Sequence, residues 1–535
     1  MSDVLKNPAQ FGASGNADAS VWSVRSYLPA LIPIVGAVLL TLLRIQLGGE
    51  HFITDTALMM LALACYLTAA TFHLTNLYAP SNMAQKIGLW TGCAGVFFNL
   101  ASWTVRWVAA HDRELQTFLS QGKTAADMPW AFRYIPFANL YDLSLAFAFG
   151  AGITTMFISG RKGYRFIGAI SLPLAALILV LARFIGGEFI NLPPVLDSYW
   201  RPIHVGIASL SYGVALVCFA VAVIYLLKVG TKPEAMSIWA AIFGLAVFAT
   251  VSRYTVFTSG IYTASTFMQG SRMSLPLRAD VPYVGLLLVI AGVLLVGVIA
   301  LFGKYLSGND EKARAWGHHL LKLSLVAQAA AIAALVAQVK SMTNIVSHIN
   351  PNQYQKFGAW LAEQQGMKAE QIQAIPPAQL VGAAQEFVQQ RGSSLILSLN
   401  ANPVELSALI TVFTATLFCI FFSFRTDKLR AALPSAEKLD SLMYKTASVA
   451  FAGLAMLLIT GAIWANESWG RYWGWDSKET GAFVAWLTYG GFLHARIARG
   501  LTGKRSAYFA VVAFLLVIFT YLGVSYLLPG LHSYA

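Results

Sequence analysis

Between Trp464 and Trp486 the chain places five of its fourteen tryptophans within 23 residues. The run reads Trp464-Ala-Asn-Glu-Ser-Trp469-Gly-Arg-Tyr-Trp473-Gly-Trp475-Asp476-Ser-Lys478-Glu479, and Trp486 follows. Two readings fit indoles at this density. One is an interfacial belt, because Trp and Tyr favour the headgroup level at the ends of membrane spans. A belt, however, distributes one or two aromatics per helix end and has no use for Asn466, Glu467, Asp476, Lys478 and Glu479 woven among them. The other is a flat binding surface: large planar side chains with a few charged groups suit a large planar ligand with charged edges. A porphyrin with two propionates answers that description.

Histidine is the natural axial ligand for the iron of such a ligand, and the chain has nine. His204 opens one long apolar run and His532 follows the last, so both fall at span ends on the side of the tryptophan segment. Each alone reads as an interfacial polar residue; together they raise paired ligation. His494 sits in the last turns of its span, followed by Arg496, and His73 lies deep in another. An ionisable side chain inside a membrane is by default a functional candidate, although for His73 a hydrogen-bonded structural role fits as well. His51, His111, His318, His319 and His348 read as solvated loop residues.

The elements that must position these groups are membrane spans. Of the 535 residues 57% are hydrophobic and only 11% charged, with a mean hydropathy of +0.62. Apolar runs of about 20 residues cross a hydrocarbon core of about 30 Å at 1.5 Å per residue. They lack the alternation of a barrel, so the expected fold is all-α, a polytopic transmembrane helical bundle. About thirteen spans are expected: 27–44, 54–76, 86–105, 138–158, 164–184, 204–227, 236–257, 282–303, 319–339, 405–424, 443–465, 480–496 and 506–526.

Charge orients them. A net charge of +13 is compatible with nucleic acid, but Lys and Arg occur in short clusters between apolar runs, so a topological role is expected and no nucleic-acid partner. With a cytoplasmic N-terminus, Arg161 and Lys162, Lys228 and Lys232, Lys304 to Arg314, Arg425 to Arg430 and Arg496 to Arg505 all fall inside. The C-terminus then lies on the outer, periplasmic side. The expected organisation is a tail over 1–26, membrane helices over 27–227, additional ones over 228–340, an outer helical loop region over 341–403, and a C-terminal core over 404–535. Residues 1–26 contain no signal-peptide pattern. Cys65, Cys93, Cys218 and Cys419 are isolated in apolar runs, so neither a CxxC pair nor a disulfide framework is expected.

Three C-terminal pieces resemble the CcsA (ResC) family of system II cytochrome c maturation, whose hallmark is a tryptophan-rich WWD domain: WANESWGRYWGWDSKE, Phe492-Leu-His494-Ala-Arg496, and Gly530-Leu-His532-Ser-Tyr534. Leu196-Asp-Ser198-Tyr-Trp200-Arg-Pro-Ile-His204-Val with Ser211-Tyr212, Arg106-Trp107, and Pro136-Phe-Ala-Asn139-Leu-Tyr141-Asp142 resemble further family elements in the same order. Ser477, Gly481 and Asp142 depart from the family pattern, which has Pro, often Trp, and Glu there.

The resemblance implies particular roles. His204 and His532 would ligate the iron of haem b as a bis-His pair. Trp464, Trp469, Trp473, Trp475 and Asp476 would form the surface beneath the ring, and His494 would hold haem transiently as it crosses the bilayer. A similar role for His73 is a weaker transfer, because the corresponding histidine of fused family members belongs to CcsB. The implied activity is a component of a cytochrome c haem lyase, attaching haem to the CxxCH segment of apocytochrome c at the periplasmic face of the bacterial cytoplasmic membrane. Implied partners are a CcsB (ResB)-like membrane protein, apocytochrome c, haem itself and thiol-reducing proteins. A CcmC-like haem carrier without ligation activity, or a CcmF-like lyase subunit, is the alternative. The region 230–435 exceeds what a simple CcsA needs.

Overall fold

The computed structural model describes residues 24–49, 51–129, 131–161, 163–189, 194–251, 262–268 and 271–524. In chain order the helices are α1 (Val24–Leu47), α2 (Asp55–Tyr78), α3 (Asn82–Ser120), α4 (Leu140–Ser159), α5 (Gly168–Ile185), α6 (Trp200–Lys228), α7 (Pro233–Val251), α8 (Val284–Gly308), α9 (Glu311–Ser341), α10 (Tyr354–Gln364), α11 (Ala369–Gln373), α12 (Pro377–Arg391), α13 (Pro403–Ser423), α14 (Thr426–Ala432), α15 (Ala436–Trp469), α16 (Ser477–Arg499) and α17 (Lys504–Ile518). Three strands, β1 (Tyr262–Met268), β2 (Ser271–Ala279) and β3 (Ile396–Leu397), complete the described elements.

Eleven helices among the described residues are long and apolar enough to cross a membrane. The other two expected spans, 86–105 and 480–496, fold as α3 and α16, which are helical over 39 and 23 residues but more polar. The polytopic helical bundle therefore holds. Polar residues punctuate it where the chain must turn: Thr54, Ser81, Asn139 and Ser435 cap α2, α3, α4 and α15 by accepting from a backbone N–H three residues on.

The chain divides into two compact units. The first comprises Met1–Ala182, Gly187–Gly230 and Lys428–Ala535. Here glycines set the helix spacing. A Cβ at Gly213 of α6 would lie 2.3 Å from the backbone of Gly150 on α4, and one at Gly453 of α15 would lie 2.2 Å from the Ser211 hydroxyl on α6. The α4, α6 and α15 backbones therefore approach closely, the contact that small residues permit between membrane helices.

The second unit comprises Arg183–Gly186 and Thr231–Asp427, and it corrects the all-α expectation. A three-stranded antiparallel sheet of order β2-β1-β3 occurs within it. Tyr262, Ala264, Leu275, Leu277 and Ala279 bury the inner face of the hairpin. Pro276, which has no N–H to give, sits on the edge strand β2 at the register shift opposite Thr263 and Ser265, where a ladder tolerates it. The stretch 341–403 contains α10, α11, α12 and β3. Phe357 of α10, Val388 of α12 and Leu397 of β3 share one core with Leu288 of α8, Leu335 of α9 and Val412 of α13. Three histidines read as solvated loop residues lie instead on helices, His111 on α3 and His318 and His319 on α9, and His318 Nε2 is 3.1 Å from the buried Glu234 carboxylate.

Candidate functional site

The tryptophan segment is built by a helix end, a turn and a helix start. Gly470, at φ 70°, stops α15 in the left-handed conformation that glycine adopts freely. Asp476 opens α16 by accepting from Lys478 N at 3.0 Å, and Glu479 completes the capping box. Glu479 Oε2 accepts from the backbone N–H of Gly474 at 2.8 Å and of Asp476 at 3.2 Å. The carboxylates woven among the indoles thus fold the turn. Trp475 adopts a left-handed φ of 56°, and Ser198, just ahead of α6, donates to the Glu467 carboxylate of α15.

This turn overhangs a recess walled by α4, α6, α15, α16 and the π-helical turn Phe519–Gly523 that ends α17. His204, Trp464, Trp469 and Trp473 all line it, together with Lys478. Counting its open mouth, the recess and the space before it hold about 1200 Å³ free of protein atoms. Tyr212 lies two turns along α6 from His204, and Tyr521 meets Ser144 of α4 through a 2.6 Å hydroxyl pair; both line the recess.

The imidazole of His204 is oriented by its backbone contact. Nδ1 lies 3.0 Å from the Leu457 carbonyl, which can only accept, so Nδ1 carries the proton and donates. The ring lies 5.6 Å from that of Trp464 and packs against Gly461, where a Cβ would approach Cε1 to 2.7 Å. A neutral imidazole protonated at Nδ1 keeps its lone pair on Nε2, and a carbonyl-bonded Nδ1–H is the arrangement that orients metal-ligating histidines. Among the described residues no group of three His, Cys, Asp or Glu side chains is assembled for a bare metal ion.

The indoles separate by position. Trp473 lines the recess, and its buried Nε1 has no hydrogen-bond partner among the described residues. Trp475 is 70% exposed, stands edge-on to Trp473 at 5.7 Å and does not line the recess. From Trp473 ring contacts continue to Phe483 at 6.0 Å, Trp486 at 6.0 Å and Phe451 at 5.4 Å, down the facing sides of α15 and α16.

The remaining sequence candidates fall elsewhere. His494 is exposed on α16, beside Arg496, which pairs with Asp440. His73 is 2% exposed and wedged between α3 and α5, where a Cβ at Gly88 or Gly168 would come within 3.1 or 2.5 Å of its ring. α2 packs mainly on α3, and α16 on α15 and α17, so His73 and His494 occupy separate helix groups. His532 lies outside the described residues. Arg471, in the tryptophan turn, folds back over Gly474.

The Arg106-Trp107 and 136–142 motifs meet through an ion pair. Arg106, 1% exposed, pairs through Nε with Asp142 and through NH1 with Asp55 at 3.2 Å, and donates to the carbonyls of Gly187 at 2.7 Å and Glu188 at 3.2 Å. Asp142 in turn accepts from Ala138 N at 2.9 Å, fixing the 136–142 segment. Sequence reasoning missed Arg201 and Tyr521. Arg201 carried a signal, three residues before His204 and hence on the same helix face; Tyr521 carried none.

Fold and site define a polytopic helical membrane protein with a histidine-bearing aromatic recess. The model of the cytochrome C assembly protein family matches residues 137–303 and 394–532, more than half of the chain, and the chain belongs to that family. It is similar to the cytochrome c biogenesis protein CcsA of Prochlorococcus marinus (strain MIT 9515), 55% identical over 98 residues, 18% of this chain and 31% of that protein. The CcsA proteins of Parasynechococcus marenigrum (strain WH8102) and Synechococcus sp. (strain CC9605) are each 49% identical over 102 residues, 19% of this chain and 33% and 34% of theirs. The chain spans about a third of the length of the curated relatives it matches. The family match also narrows the extra region: α7, β1, β2, the bulk of α8, and α13 fall within it, and residues 304–393 do not.

Proposed function

We propose that this protein binds haem b in the recess at the periplasmic face of a bacterial cytoplasmic membrane and presents it for covalent attachment to the CxxCH segment of apocytochrome c. One observation carries the reading: an imidazole held by the Leu457 carbonyl through Nδ1 and set into an indole-lined recess. Haem is cargo here, and its vinyl groups supply the reactive carbons.

The chain's own residues bind and orient. His204 supplies one axial nitrogen, and His532 the second. Two imidazoles leave no open position for oxygen, which keeps competing iron chemistry away. Trp464, Trp469 and Trp473 cover the ring, the Trp473 N–H offers a donor to its polar edge, and Lys478 offers a charge to a propionate. Each thiol of CxxCH then adds across a vinyl double bond, sulfur to one carbon and proton to the other, with no external oxidant or reductant. Orientation alone lowers such a barrier by about 7–11 kcal/mol. The substrate cysteines must arrive as thiols, a task for thiol-reducing partner proteins, since the four cysteines of this chain are isolated.

Delivery from the cytoplasmic side would use His494, whose exposed position on α16 suits a site completed by a CcsB-like subunit. His73, tightly enclosed, suits helix packing better than ligation. The carrier reading, without ligation, shares the recess and differs only in the last step.

The test is the absorption spectrum of the full-length protein purified from membranes, with haem staining of a co-expressed reporter cytochrome. A bis-imidazole, six-coordinate spectrum is expected, lost in His204→Ala and His532→Ala and restored by added imidazole. An unchanged spectrum in both variants removes these residues as ligands. A normal spectrum without holocytochrome formation, with CcsB and apocytochrome present, favours the carrier.

A further inference from the structure

Arg201 and His204 lie one turn apart on α6, and both line the aromatic recess. Arg201 also lines a second cavity, which shares Ala138 as a wall with the first. The two spaces differ in chemistry. The recess is walled mainly by indoles, aliphatics and tyrosines, whereas the second cavity carries Arg113, Glu114, Arg133 and Asp197. Arg201 is thus the partition between an apolar chamber and a polar one.

The partition is a buried charge. Arg201 is only 6% exposed, and its NH2 donates to the Arg133 carbonyl at 2.7 Å, which fixes the plane of the guanidinium. A planar fork held this deep matches a carboxylate in two parallel hydrogen bonds, and the attraction is stronger there than in water. Lys478, on α16, also lines the recess, so cations reach it from two helices.

We propose that Arg201 is a specificity-determining residue that receives a free carboxylate at the edge of the planar ligand, holding the ring in the recess with its acidic edge toward the polar cavity. The site then selects a tetrapyrrole that carries free carboxylates over the same ring with those groups masked. This assignment rests on the haem reading above.

The experiment titrates the purified full-length protein with haemin and with haemin dimethyl ester, which keeps ring and iron and removes both negative charges. The wild-type protein is expected to prefer haemin by about 10- to 100-fold, equivalent to the ~1.5–3 kcal/mol of a hydrogen bond to a charged group. Arg201→Gln should erase most of that preference by weakening haemin alone, leaving ester affinity and the six-coordinate spectrum as in wild type. Equal weakening of both ligands would mean that Arg201 only braces the fold, and would overturn the assignment. So would a wild-type protein that binds both equally, a result that does not depend on how the variant folds and leaves the haem reading intact. A wild-type protein that binds neither overturns the haem reading and this assignment together.

Discussion

The His204 imidazole rests directly on the Cα of Gly461: a Cβ at position 461 would fall 2.7 Å from Cε1 and 3.0 Å from Nδ1. The ring is thereby clamped between α15 and its own helix. Gly461→Ala should push it off the Leu457 carbonyl at about 1–3 kcal/mol, the usual cost of overpacking. The expected outcome is a haem spectrum shifted toward five-coordination with the protein still folded, measured by absorbance before and after adding imidazole.

Glu479 holds the tryptophan turn together by accepting two backbone N–H groups. Glu479→Gln keeps an acceptor oxygen and loses its charge, so the turn should loosen by about 1 kcal/mol or somewhat more. Asp476→Asn, which retains a good cap, should have a smaller effect than Asp476→Ala, at about 0.5–2 kcal/mol. Hydrogen exchange of the 470–476 backbone measures both.

Trp473 and Trp475 should behave differently despite their proximity. Trp473 lines the recess and Trp475 does not. Trp473→Ala is expected to lower haem content several-fold, whereas Trp475→Ala should keep haem bound. Haem-to-protein ratios after purification decide this, and equal losses would argue that the exposed indole also contacts the ring.

The Arg106–Asp142 pair should matter for folding more than for the ligand. Removing one partner of a buried pair leaves an uncompensated charge and costs about 3–5 kcal/mol, whereas replacing both with apolar residues costs much less. Arg106→Met should therefore lower the melting temperature in detergent, and Arg106→Met with Asp142→Leu should recover part of the loss. The remaining Arg106 contacts, Asp55 among them, make that recovery partial.

Hydropathy made the helices legible, since a span announces itself by length alone. The tryptophan turn and His204 were legible because their residue types are rare together. Less readable was what each polar residue does. Asp476 and Glu479 look like ligand contacts in sequence, and they turn out to satisfy the backbone of their own turn. The hairpin of β1 and β2 escaped notice because its apolar alternation is short and sits between two much stronger apolar runs. Arg201 was legible only as a residue on the His204 face of α6; the second cavity that it also lines is assembled from distant segments and has no local pattern.

The stretch 304–393, outside the family match, is woven into its surroundings and does not hang from them. Phe357 and Val388 come from it, while Tyr262, Leu277 and Leu288 come from matched segments, and all five are interior to the same knot of side chains. Excising those ninety or so positions would strip the hairpin's underside and one flank of α8 bare. A minimised version of the protein would have to repaint those surfaces with polar groups, or lend them another helix, before it could shed the addition.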